Sequence, residues 1–130
     1  MKTTNSRTFR SNVKLIDYWS IPHFLFGAVT ALASVVFSVP GRYGFISTFL
    51  IAIAWELFEK KAKLWENIRN VSADIALPLI SFPVVYYYAM EIVSDAERNR
   101  ALFVVVTILH FFINFIAWRA RSERDRDFMP

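Results

Sequence analysis

The sequence predicts an all-α polytopic integral membrane protein, a bundle of four transmembrane helices. Three observations carry that expectation. Four segments are apolar over lengths suited to a bilayer, the basic residues crowd one side of those segments, and carboxylates, amides and one of the two histidines collect on that same side. Ile21 to Val39 is a run of nineteen residues without a charge. At about 1.5 Å per residue it covers about 28 Å, close to the hydrocarbon thickness of a bilayer. Soluble helices do not stay apolar on every face for so long.

The elements follow in order. Residues 1–12 are polar and read as a flexible arm, and Val13, Leu15, Ile16, Tyr18 and Trp19 form a juxtamembrane stretch whose aromatics suit the headgroup region. Ser20 is placed to cap a first helix over about 21–39, with Pro22 tolerated in its opening turn. Pro40-Gly41 should end that helix in a tight turn. A second helix over about 43–58 carries Glu56 in its last turn, and a reversal is expected around Lys60 to Trp65. The third, about 72–93, contains Pro78 and Pro83, with Ser81 available to satisfy a freed carbonyl. The fourth covers about 101–118, and 122–130 alternates charge like a flexible, solvated tail. With 130 residues and four spans, a single domain is expected.

Charge sets the expected orientation. Lys2, Arg7, Arg10 and Lys14 precede the first helix, Lys60, Lys61, Lys63 and Arg69 follow the second, and Arg119, Arg121, Arg124 and Arg126 follow the fourth, against Arg42, Arg98 and Arg100 on the other side. Such a bias over short loops places both termini in the cytoplasm and the chain in the cytoplasmic membrane. A cleaved signal peptide fits poorly, because the first apolar run begins at position 21 without a small-residue cleavage site. The net charge of +4 is explained by lipid: these cations lie beside membrane spans, where anionic headgroups are the expected partners and nucleic acid is not. The absence of cysteine excludes disulfides, thiolate chemistry and cysteine zinc sites.

Chemistry is expected where polar groups are costly to keep. The candidates are Asp17, His23, Glu56, Glu59, Glu66, Asn67, Asn70 and Asp74. In a four-span topology His23, Glu56 and Asp74 arrive from three helices at one depth near the cytoplasmic side. Glu56 and Glu59 are three apart, and Asn67, Asn70 and Asp74 also form one helical stripe. As one straight helix, Glu56 and Asp74 would lie about 27 Å apart, so a reversal is needed to unite them. His23, Glu56, Glu59, Asn70 and Asp74 together make a suitable oxygen and nitrogen ligand set for a divalent cation, with Mn, Fe or Zn favoured over Ca. Inward Glu and His residues also build the di-metal sites of helical bundles, although the Glu-x-x-His signature is absent. Glu56, Glu59 and His23 are the candidates for acid, base or ligand roles in catalysis.

Blander readings stand beside these. Glu59 and Glu66 can pair with Lys60, Lys63 or Arg69 in a solvated loop, Asn70 can be the cap of the third helix with Asp74 near its dipole, and Asp17 can lie outside the bilayer. His110 and Asn114 share a face of the fourth helix, and interhelical hydrogen bonding is the preferred reading over a proton relay. Gly27 and Ala31 form a small-xxx-small pair for close helix approach. Tyr86, Tyr87 and Tyr88 point three ways, so one or two at most can line a cavity.

The run Trp55-Glu56-Leu57-Phe58-Glu59, with Glu66-Asn67, Asn70 and Asp74 after it and Asp17 and the His23-Phe24 to Gly27 stretch before it, resembles small prokaryotic membrane proteins distantly similar to the VanZ-like group. The likeness covers residues 17–74. It implies that His23, Glu56, Glu59, Asn70 and Asp74 mark the polar side of a small helical bundle. The order differs from that group, where Asp precedes Asn and a Gly follows.

Three functions are compatible with these readings. One is a membrane enzyme or metal-binding protein acting on a lipid or lipid-linked substrate at the cytoplasmic leaflet. Another is a non-catalytic assembly or regulatory subunit of a membrane complex. The last is a proton or cation transport component, which with so few helices needs a homo-oligomer. No nucleotide loop, Gly-x-Ser-x-Gly elbow or His-Glu-x-x-His motif names a reaction.

Overall fold

The computed structural model describes residues 20–61 and 68–127, with side chains for 20–61 and 71–120. Expectations for 1–19, 62–67 and 128–130, among them those on Asp17, Glu66 and Asn67, lie outside the described residues. Four α-helices account for nearly all of the rest: α1 (Ser20–Val36), α2 (Gly41–Lys61), α3 (Ile68–Tyr87) and α4 (Ala96–Asp127), with a π-helical segment at Tyr88–Val93 between the last two. No strand occurs among the described residues. Two stretches, Val71–Val93 and Ala96–Ala120, are long and apolar enough to cross a membrane.

The turn between α1 and α2 comes earlier than Pro40-Gly41. Ser38 adopts a left-handed φ of 55°, its N–H donates to Val35 O at 3.2 Å, and Val39 N–H donates to Ser34 O at 2.8 Å. These are the paired bonds of a Schellman cap, with serine where glycine is usual. Pro40 then blocks continuation of α1, and Gly41 belongs to the first turn of α2. A Cβ there would press on the far end of the Tyr86 ring, which would have to shift to admit it.

α4 starts five residues before the expected 101. Asp95 Oδ1 accepts the Arg98 N–H at 2.8 Å, an N-cap that converts the charged stretch Glu97 to Arg100 into helix. The π segment ends at Ser94, also left-handed, where Ala89 O accepts both the Ser94 N–H and the buried Asn99 amide. At the other end α4 runs through Asp127, so residues 122–127 continue the helix rather than forming an irregular tail.

α1 is the centre of the molecule. It packs on α3 most extensively, then on α4, then on α2, whereas α4 touches α1 and the π segment and has no direct backbone approach to α2 or α3 among the described residues. The α1–α3 crossing is close at Gly27, where a Cβ would collide with Ser81 Oγ and the Pro78 carbonyl. Ala31, the other half of the small-residue pair, is fully buried. Ser81 does not serve its own helix first: its hydroxyl lies 2.7 Å from Phe24 O of α1 and 3.3 Å from Pro78 O. The α1–α2 seam is similar, with Gly44 seated on Ser34 and Thr48 Oγ1 2.8 Å from Thr30 Oγ1.

Among the described residues most of the buried ones are small or polar, with Leu32 and Phe82 as large apolar exceptions, and most of the large apolar ones are exposed. Ala28, Ala31, Ala52, Ala89, Ser34, Thr48 and Ser81 are inside, while Phe111, Phe115, Ile108, Leu50 and Val84 are among many large side chains more than half exposed. Water selects the opposite distribution.

Candidate functional site

Each of three helices carries one polar seam through an otherwise apolar surface. On α2 the buried residues are Gly44, Thr48, Ala52, Glu56 and Glu59, steps of three and four that keep one face. On α1 they include Ser20, His23, Gly27, Ala31 and Ser34. On α3, Asp74, Pro78 and Ser81 continue the pattern. Because the seams interlock through small residues, the longer polar groups at their ends are carried inward together.

The meeting point is His23, Glu56 and Asp74. A ligating atom from each lies within 4.8 Å of the others, and all three are buried, at 9 %, 5 % and 1 % exposure. His23 Nε2 is 3.9 Å from Asp74 Oδ2. Glu56 and Asp74, 18 positions apart in the sequence, therefore meet rather than standing at the two ends of one straight helix. Metal–ligand bonds of about 2.1 Å in tetrahedral geometry put donor atoms about 3.4 Å apart. The widest pair of the trio therefore exceeds the spacing of a loaded site by at most about 1.4 Å. Two carboxylates and an imidazole would carry two negative charges with the imidazole neutral, and a divalent cation balances that charge where burial makes it expensive.

Glu59 is buried beside this trio but is not one of it. Its Oε1 accepts the Trp55 indole N–H at 3.0 Å along α2, so it is neither a loop carboxylate nor one of the three converging donors. Asn70 is the third residue of α3, inside the helix rather than at its cap, and its side chain lies outside the described residues. Asp74 is the seventh, past the first turn where the helix dipole acts.

Beside the trio a cavity of about 520 Å³ opens between α2 and α4, with α1 as its floor. His23, Phe26, Ala52, Trp55, His110 and Trp118 are among its walls. The Trp55 and Trp118 rings meet edge to face at 6.4 Å between centroids and bridge the two helices at one end. His110 and Asn114 approach each other within α4, at 3.4 Å, and His110 also interacts with the Pro22 backbone of α1, so the expected interhelical hydrogen bonding falls to the histidine while the amide stays within its own helix. Phe26 packs on the His110 ring at 6.2 Å. None of Tyr86, Tyr87 and Tyr88 lines this cavity.

Ala52 and Trp118 were the residues that motif reading passed over. Ala52 was detectable as the small residue four before Glu56, and Trp118 as the aromatic at the end of the fourth apolar run. No protein-family model matches the chain, and neither does any curated protein or solved structure at a significant level.

Proposed function

We propose that the chain is a four-span protein of the cytoplasmic membrane, with both termini cytoplasmic, that binds a divalent transition metal through His23, Glu56 and Asp74 and acts on a lipid or lipid-linked substrate at the inner leaflet. The observation that carries this reading is the convergence of three buried ligating side chains from three helices. Polar ionisable groups inside an apolar bundle are costly, and they mark functional positions there more often than elsewhere. The inverted distribution of large apolar and small polar residues supports the membrane setting. α1, at 17 residues, is at the short end of what spans a bilayer. Lys60, Lys61 and Arg119 lie on the trio's end of the bundle, and Arg42, Arg98 and Arg100 on the other, which supports the orientation.

A metal in this position supplies Lewis acidity or an activated water. His23 is the residue that belongs both to the trio and to the cavity wall, so it is placed to hold a ligand atom or pass a proton between them.

Elemental analysis of detergent-purified protein tests the proposal. Wild type is expected to hold Mn, Fe or Zn near one equivalent, and Glu56→Ala to lose it, with affinity down by more than the roughly 10- to 100-fold that loss of a supporting partner costs. Unchanged helicity by circular dichroism keeps the comparison valid. Metal absent from wild type after supplementation with each ion would sink the metal reading and favour the assembly-subunit alternative.

A further inference from the structure

We propose that the cleft between α2 and α4 takes up one hydrocarbon chain of an anionic membrane lipid, admitted sideways from the bilayer, with its headgroup at the tryptophan end. The proposal rests on the membrane setting of the preceding reading and deepens it by naming the class of lipid and the place of its chain.

Access is lateral because α2 and α4 do not pack on each other, and the Trp55–Trp118 contact bridges the gap at one end only. The mouth is flanked by Ile51, Phe111 and Phe115, which are 50 %, 68 % and 67 % exposed and belong to the same apolar surface that faces outward along both helices. Apolar side chains make most of the wall, and the volume falls in the range of about 300–1,000 Å³ that ligand sites occupy. A water-soluble ligand would find few polar partners there, whereas an alkyl chain already dissolved in the bilayer reaches the cleft without crossing water. The headgroup end is set by charge. Exposed Lys60 and Lys61 close α2 just beyond Trp55, and exposed Arg119 follows Trp118 on α4. Cations on both rims beside an aromatic pair suit an anionic headgroup, and His23 in the wall leads from the chain's polar end to the trio.

The test is native mass spectrometry of the full chain in detergent, titrated with phosphatidylglycerol or phosphatidylcholine of equal chain length. Wild type is expected to retain one phosphatidylglycerol and to prefer it over phosphatidylcholine, a preference that falls roughly fivefold for each of Lys60→Gln and Lys61→Gln. Ile51→Trp, at the exposed mouth, is expected to lower lipid retention at least tenfold while metal content stays at the wild-type level. Equal retention by Ile51→Trp and wild type, or equal binding of the two lipids, overturns the proposal. Loss of metal in Glu56→Ala with lipid retained bears on the metal reading alone, so the two fail separately.

Discussion

Glu56, His23 and Asp74 stand out because a bilayer-length apolar run makes each polar residue in it conspicuous, and their convergence follows once the chain reverses after α2. The destination of Glu59 was not legible: three residues from Glu56, it shares the buried face, yet it accepts the N–H of an indole four residues back. Gly27 is the residue whose size matters most. Its would-be Cβ meets the Pro78 backbone, which cannot rotate away, so Gly27→Ala is expected to destabilise by about 1–3 kcal/mol, as overpacking does. Thermal unfolding in detergent measures it, and an unchanged midpoint would show that α1 and α3 can part at little cost. Thr48→Val is nearly isosteric and removes the hydroxyl shared with Thr30 and Gly44 O, so a loss of about 0.6 kcal/mol is expected, and a double-mutant cycle with Thr30→Val should show the coupling.

Helices were easier to find than their ends. Pro-Gly is a stronger turn signal than a lone serine, so the left-handed Ser38 was hidden beside Pro40-Gly41, and the charged run after Asp95 read as loop although its cap makes it helix. Ser38→Gly should stabilise the α1–α2 turn by about 0.5–1 kcal/mol, because relief of left-handed strain exceeds the extra entropy that glycine loses on folding. Detergent melting curves check the sign; a lowered midpoint would mean that the serine side chain contributes to the cap.

At the scale of the whole molecule, four similar apolar segments contain little to say which packs on which. The seams of small and polar residues were the available signal, and only the Gly27–Ala31 part of them was used. The topology has a clean test because the chain lacks cysteine. Glu97→Cys, in the first turn of α4, should react with an impermeant maleimide applied outside intact cells, and Lys61→Cys only after the membrane is opened. Labelling of both from outside would refute the proposed orientation. The position of α4 has one more consequence. α4 packs its backbone on α1 and the π segment and meets α2 through the Trp55–Trp118 rings, and in the proposed membrane setting a helix of 32 residues, longer than a hydrocarbon layer, would adjust by leaning. With an aromatic tie to α2 and no direct backbone approach to it among the described residues, the width of the gap toward α2 would then follow bilayer thickness, narrower or wider as the lipid composition changes.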